Sequence, residues 1–295
     1  MKKGMAGLAR ALATLAGVWL AVQLLPRWLP EDPARIAAGE WATEAEVSHL
    51  RHALSLDQSW HSALASGAWN WVHGDLGSSL RFHRPVGDVI RAGVPVSFQL
   101  ALLALLASAV LAWALAFPKG RMVRGLESIA IASPVYVLGP LLLWGVAQHL
   151  AWLPVSGTGS WAAWLLPTLS LAVPLAGHQS RILRPQLEII RGVPGLRWWE
   201  GLAVPQRRIW WRWSLPSVAG PWLTVLGLQL GALLGGAVLA EAIFGLPGLG
   251  NLLVGAISTR DLPLVQATVF LGAAVYILTQ LLVEWTQGLL DPRLR

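Results

Sequence analysis

The sequence predicts an all-α, polytopic membrane protein with six transmembrane helices and a small external helical segment. Three observations carry that expectation. Charged residues make up 13% of the chain against 55% hydrophobic, where soluble domains carry about 25% charged. Apolar runs near the roughly 20 residues needed to cross a bilayer recur along the whole length. Lys and Arg concentrate in alternate loops between those runs.

The runs fall at 8–26, 97–117, 126–149, 161–180, 218–240 and 264–286. The first follows Met1-Lys2-Lys3. It is longer than the apolar core of a secretory signal, and Ile36-Ala37-Ala38-Gly39 is a poor cleavage site, so it reads as a retained anchor over 1–26. The 118–125 loop carries Lys119, Arg121 and Arg124. The 181–217 loop carries Arg181, Arg184, Arg191, Arg197, Arg207, Arg208 and Arg212. The 150–160 loop has no Lys or Arg, and 241–263 has only Arg260. Cytoplasmic loops hold the Lys and Arg excess, which places both termini and the two basic loops inside. The 27–96 segment, with six arginines, is long enough to translocate regardless of charge and is assigned to the outer face. Within it, Thr43 and Glu46 form a capping-box pattern opening a helix through Leu50 and Ala53. Gly74-Asp75 reads as a turn, and Pro95 marks the approach to the second span. The remainder, 97–295, reads as one membrane domain.

Composition also excludes chemistry. The chain has no cysteine, hence no disulfide, thiol nucleophile or Cys-ligated metal. Its three lysines, Lys2, Lys3 and Lys119, stand in no P-loop frame, and neither HExxH nor GxSxG occurs. No catalytic residue is expected, and any ATP-driven step needs a partner. The net charge of +7 rests on few charges in a Leu-, Ala-, Gly- and Trp-rich chain, which speaks for basic cytoplasmic loops over nucleic-acid binding. His49 and His52 are one helical turn apart. With His61, His73 and His83 they suit solvated positions better than a metal site, since no ligand set is apparent. The spans are almost empty of ionisable groups: Glu127 and His149 lie near opposite ends of the third, and Glu284 near the end of the sixth. That weakens the case for a proton-coupled carrier, whereas a sodium-coupled one could use backbone carbonyls.

Two features remain. Gly227, Gly231 and Gly235 form a four-residue ladder on the fifth span, beside Gln229. Such spacing permits close helix approach, at a packing contact, a subunit interface or a path lining. The stretch GLRWWEGLAVPQRRIWWRWSLP (195–216) sets Trp198, Trp199, Trp210, Trp211 and Trp213 among Arg197, Arg207, Arg208 and Arg212. Tryptophan anchors at the headgroup level and arginine reaches lipid phosphates or carboxylates of a partner.

In chain order the sequence also reads LSLDQ (54–58), GDLGSSL (74–80), RPV (84–86), SPVYVLG (133–139), WLPVSG (152–157), LPTLSLAVPL (166–175), EAIFGLPGLGNLL (241–253), RDLPLVQ (260–266) and LLDPRLR (289–295). In these stretches, over nearly its whole length, the chain resembles the permease subunits of bacterial ABC importers for dipeptides, oligopeptides and nickel. The resemblance implies half of a heterodimeric pore in the inner membrane. Its partners would be a second homologous permease subunit, an extracytoplasmic solute-binding protein and two ATP-binding subunits, which alone would use ATP and Mg. It also implies a cytoplasmic coupling helix between the fourth and fifth spans. The matching positions are Arg197, Trp198, Trp199, Glu200, Gly201 and Leu202, followed by Arg207 and Arg208. Pro194-Gly195 and Trp198-Trp199 depart from the family pattern there, which implies a shortened coupling helix. Gly227, Gln229, Gly231 and Gly235 are candidates for the translocation path. Glu241, Phe244, Pro247, Gly248 and Gly250 are candidates for its outer mouth. Small peptides are the expected cargo, with nickel or a metallophore complex, and an ion-coupled secondary transporter, as alternatives.

Overall fold

The computed structural model describes residues 2–290 except 29, 31, 40, 55 and 119, and within 193–214 only Pro205, Arg208 and Arg212. The elements are α1 (Lys2–Trp28), α2 (Pro33–Ala38), α3 (Glu44–Ala53), α4 (Trp60–Val72), α5 (Val86–Ala116), α6 (Arg121–Ile131) and α7 (Val135–Leu142). A π-helical stretch Leu143–His149 and a 3-10 turn Trp161–Trp164 precede α8 (Leu165–Gly192). Then come α9 (Leu215–Gly236), α10 (Val238–Ile243), α11 (Leu249–Ser258) and α12 (Leu262–Leu290). By contacts the chain divides into one compact unit of Met1–Ser97 with Pro247–Leu278 and a second of Phe98–Leu246 with Thr279–Arg295.

Among the described residues, three helices are long and apolar enough to cross a membrane: Gly7–Trp28, Val86–Ala116 and Leu262–Thr286. A fourth span exists if α6 and the α7–π segment are counted together, but the two are bent by 99°. The continuous third span expected over 126–149 is therefore broken. Pro134 is the physical reason: it has no N–H to donate, and its ring disfavours helical geometry at Ser133. The fourth expected span falls on α8, which is long but does not meet that standard, because Arg181, Arg184, Glu188 and Arg191 in its second half dilute its apolarity. The fifth is the shorter apolar helix Val218–Leu234 within α9, which ends at Gly236 before α10 begins.

In the first unit, the capping box forms as the sequence predicts. The Thr43 backbone N–H donates to Glu46 Oε2 at 2.8 Å and the Glu46 N–H to Thr43 Oγ1 at 3.4 Å, opening α3 at Glu44. α2 is capped by Asp32, whose Oδ1 accepts from the Ala34 N–H at 3.0 Å and whose Oδ2 pairs with Arg51 of α3. That guanidinium is the main reason the Asp32 carboxyl titrates below its ordinary value. The bonds from Thr43 lower Glu46 in the same way. The second span's helix starts at Val86, earlier than 97, and runs through Pro95. Val86 and Ile90 of α5 pack with Ala256 of α11 and Leu264, Val265 and Ala267 of α12.

In the second unit α8 is central, with α6, α7, α9 and α10 packed on it. Ala112 and Ala116 of α5 share a core with Ala176, Leu183 and Leu187 of α8 and Val218 of α9. At Gly177 a Cβ would stand 2.7 Å from Ile131 Cγ1 and 2.9 Å from its backbone nitrogen, so glycine there is what lets the end of α6 meet α8. The loop expected from 181 does not begin there. α8 continues through Arg181, Arg184 and Arg191 to Gly192, because Leu183 and Leu187 keep burying one of its faces.

Candidate translocation and coupling sites

The sequence-predicted path residue Gln229 belongs to a polar cluster within the second unit that sequence reasoning did not find. Gln179 of α8 is fully buried. Its Nε2 donates to Gln229 Oε1 at 2.6 Å and to Ser108 Oγ of α5 at 2.9 Å, and its Oε1 accepts from Trp222 Nε1 at 3.2 Å. Ser108 in turn donates to the Leu105 carbonyl at 2.8 Å. Trp222 is held edge-on to Trp113, ring centroids 5.2 Å apart. Three helices are thus joined through one amide, at a depth where water is scarce and each unmade bond is costly. Apolar runs hide such a cluster, because a lone Gln or Ser in a span barely changes hydropathy.

The other three predicted path positions are glycines. A Cβ on Gly227 would fall 2.2 Å from Val283 Cγ2, so this glycine is where α9 and the end of α12 make their closest approach among the described glycines. Gly231 is buried, and Gly235 lies in the last turn of α9.

The coupling positions Arg197, Trp198, Trp199, Glu200, Gly201, Leu202 and Arg207 lie outside the described residues. Arg208 is exposed, and its N–H donates to the Pro205 carbonyl at 2.8 Å. What the structure adds is the anchor just before that stretch. Arg184, counted by sequence among the loop arginines, is partly buried on α8, its side chain 12% exposed. Its Nε meets Glu127 Oε2 of α6 at 3.1 Å, its Nη1 donates to the Pro118 carbonyl at 2.9 Å, and its Nη2 to the Leu115 carbonyl. A cation placed on the last carbonyls of α5 also suits that helix's dipole.

The outer-mouth block divides at the boundary between the units. In the second, Glu241 and Phe244 are buried, and the Ile243 and Phe244 side chains close over Gly139 of α7. The left-handed Gly245 (φ 62°) then turns the chain. In the first unit Pro247 is exposed, while Gly248 and Gly250 are buried at the start of α11. There a Cβ on Gly93 would meet the backbone of Gly248 and Leu249 at 3.3 Å, and the Leu249 N–H donates to Ser97 Oγ at 2.8 Å. The same unit explains two of the quoted stretches together. Asp261 is fully buried at the start of α12. Its Oδ1 accepts from the Leu264 N–H at 3.3 Å, and its Oδ2 from the Ser79 hydroxyl and the Arg81 N–H, the latter at 3.2 Å. GDLGSSL and RDLPLVQ thereby meet on one carboxylate.

Of the five histidines within 27–96, two have side-chain polar contacts: His52 with Asp57 at 3.0 Å and His73 with the Trp69 carbonyl at 2.8 Å. Among the described residues no three His, Asp or Glu groups come together as a metal site.

Long apolar helices and a broken one, tied at depth by amides and a buried ion pair, define a multi-pass membrane protein built around internal polar contacts. Residues 104–295 match the family described as binding-protein-dependent transport system inner membrane component. The chain is 31% identical to the glutathione transport system permease protein GsiC of Escherichia coli K12 over 293 residues, 96% of this chain and 95% of that one. It is equally similar to GsiC of Pectobacterium atrosepticum, over 297 residues with the same coverage. To the probable peptide ABC transporter permease protein y4tP of Sinorhizobium fredii it is 30% identical over 304 residues, covering 98% of this chain and 97% of that protein. The chain belongs to the inner-membrane permease family of binding-protein-dependent ABC importers, as the ordered motifs imply.

Proposed function

We propose that this chain forms half of a heterodimeric pore that imports small peptides. The observation that carries this is its near full-length likeness to permeases named for glutathione and for peptides. Those names favour peptide over nickel, and the engagement of His52 and His73 with their own neighbours points the same way. Two separate ATP-binding subunits consume ATP and Mg, a solute-binding protein delivers cargo outside, and this chain carries no catalytic group. Both termini face the cytoplasm. The chain is organised as an anchor (1–26), an external segment (27–96) and a permease domain (97–295).

The mechanism is alternating access. ATP-driven closure of the partners favours one packing of the spans over another, and the permease moves only by that difference. The stretch around Glu200 and Gly201 receives the push, and the Arg184–Glu127 clamp makes α8 a stiff lever behind it. In the packing described here, Gln179 donates to Gln229, while the Gln179 oxygen accepts from Trp222 and the Gln229 Nε2 faces the Leu175 carbonyl. Parting α8 from α9 frees an amide pair whose donors and acceptors match a peptide backbone.

The experiment is purification of the tagged protein from its native membranes in mild detergent, paired with uptake of a labelled dipeptide, glutathione and nickel. The expected result is recovery of a second permease and ATPases, lost on Gly201→Trp or Glu200→Lys, with peptide uptake that stops when the ATPases are deleted. Uptake that survives that deletion and collapses with an ion gradient would sink the proposal. Nickel uptake abolished by replacing His49, His52, His61, His73 and His83 together would move the cargo to metal.

A further inference from the structure

Within the first unit a half-enclosed cavity of about 240 Å³ lies where the last turns of α1, the length of α4 and the first turn of α12 converge. A single water needs about 10–15 Å³ by that measure, so the space suits a larger occupant. Its position relative to the bilayer follows from the spans. Gln23 and Arg27 sit at the closing end of the Gly7–Trp28 span, and Leu262 to Gln266 open the Leu262–Thr286 span. Both ends meet at the membrane–water boundary, on the same side.

The lining has a specific chemistry. It holds one cation, Arg27, and one anion, Asp75, with the amides of Gln23 and Asn70 and the rings of Trp60 and Trp71. The two amide side chains have no hydrogen-bond partner among the described residues. Arg27 directs Nη2 to the Gln58 carbonyl at 2.8 Å, which fixes the guanidinium at the rim. Asp75 Oδ1 accepts from the Gly77 N–H at 2.9 Å, which fixes the carboxylate. A guanidinium offers five donors and a carboxylate about four acceptor positions, more than the Gln58 and Gly77 bonds use. Only 11% of the α1 span is buried in the protein, so lipid has access to the cavity from the α1 side.

We propose that this cavity binds the phosphoethanolamine headgroup of a phospholipid. Arg27 takes the phosphate, since guanidinium and phosphate oxygens form paired, charge-assisted hydrogen bonds. Asp75 takes the ammonium. Gln23 and Asn70 hydrogen-bond the phosphate and glycerol oxygens, and Trp60 and Trp71 flank the headgroup as interfacial aromatics do. The bound lipid wedges α1 against α4 and α12, where direct contact is slight: a Cβ added to Gly67 would stand 3.5 Å from the Gln23 side chain, and Gln266 Nε2 reaches the Val22 carbonyl at 2.8 Å. The same chemistry is available from a free phosphoethanolamine ester, so the source has to be tested as well.

The test is native mass spectrometry of the purified complex. Phosphatidylethanolamine, phosphatidylglycerol and phosphatidylcholine are offered at equal concentration, with soluble glycerophosphoethanolamine as competitor. One phosphatidylethanolamine retained in preference to the other two is expected. Arg27→Gln should lower its retention by about tenfold or more, the scale of one charge-assisted hydrogen bond. Asp75→Asn should erase the preference over phosphatidylglycerol. Arg27→Lys, which keeps the charge but not the paired geometry, should bind between the parent and Arg27→Gln, and that order separates loss of the site from loss of the fold. No displacement by the soluble ester identifies lipid as the ligand. Displacement at millimolar competitor assigns the site to the free ester. Equal retention of all three lipids, unaffected by Arg27→Gln and Asp75→Asn, overturns the proposal.

Discussion

Replacing Arg184 by Met should be among the most damaging single changes in the second unit, and the size of the effect can be worked from its contacts. The side chain is 12% exposed and its carboxylate partner on Glu127 is 9% exposed. Removing the guanidinium leaves that carboxylate buried without its cation and also strips a donor from the Pro118 and Leu115 carbonyls. Breaking a buried pair from one side costs about 3–5 kcal/mol. Glu127→Gln is milder, because Arg184 keeps both carbonyls and an amide oxygen can still accept from Nε. About 1.5–3 kcal/mol, the worth of a hydrogen bond to a charged group, bounds that loss. The double change Glu127→Met with Arg184→Met removes the stranded charge, so it should be more stable than Arg184→Met alone, leaving only the uncapped carbonyls. Tryptophan fluorescence of the detergent-solubilised protein reads the order. At roughly 2–4 °C per kcal/mol, Arg184→Met should melt about 6–20 °C below the parent, with the double variant between them. An Arg184→Met protein within about 2 °C of the parent, or a double variant showing the simple sum of both losses, would refute the assignment of Arg184 as a buried clamp.

Gly227→Ala places a methyl against Val283 and should cost about 1–3 kcal/mol by overpacking; adding Val283→Ala should recover most of it, and a fluorescence melt without recovery would count against the close approach. Gln179→Leu orphans Trp222 and Gln229 at once, and should lower stability by about 1–3 kcal/mol while peptide uptake falls; unchanged melting and uptake would remove the cluster from both roles. Asp32 and Glu46 both have folded values below the ordinary carboxylate range near 4, so their contribution is complete above that range and is lost as pH falls through the lowered values. Hydrogen exchange over 33–53, corrected for intrinsic rate, should therefore rise below about pH 4, and Asp32→Asn should show faster exchange of the α2 amides already at neutral pH.

Much of this architecture was legible because its signals are strong and local. The capping box at Thr43 and Glu46 is a two-residue code for a helix start, and α3 begins where it says. Apolar runs of about 20 residues located α1, α5 and α12. The failures have equally physical causes. Hydropathy averages over a window, so it read through Pro134, where a single missing N–H and one ring clash bend the chain by 99°. Charge counting put Arg184 in a loop because it sees the guanidinium but not the Leu183–Leu187 face that carries α8 onward. Asp261 escaped notice as a structural carboxylate because its partners, Ser79 and Arg81, stand about 180 positions away.

The residues proposed for the path are those that hydropathy weighs least. A span with a charged group announces itself, since charge at depth is costly. An amide does not, yet in a low-dielectric interior its bonds hold helices together only while both partners stay in place. Gln179 makes three such bonds across α5, α8 and α9. A permanent charge pair would resist parting, whereas neutral amides can exchange one another for a peptide's own N–H and C=O groups at nearly equal energy. Under the function proposed above, a pathway for uncharged backbone groups favours glutamine over carboxylate, while the Arg184–Glu127 pair stays in the second half of α8, ahead of the proposed coupling stretch.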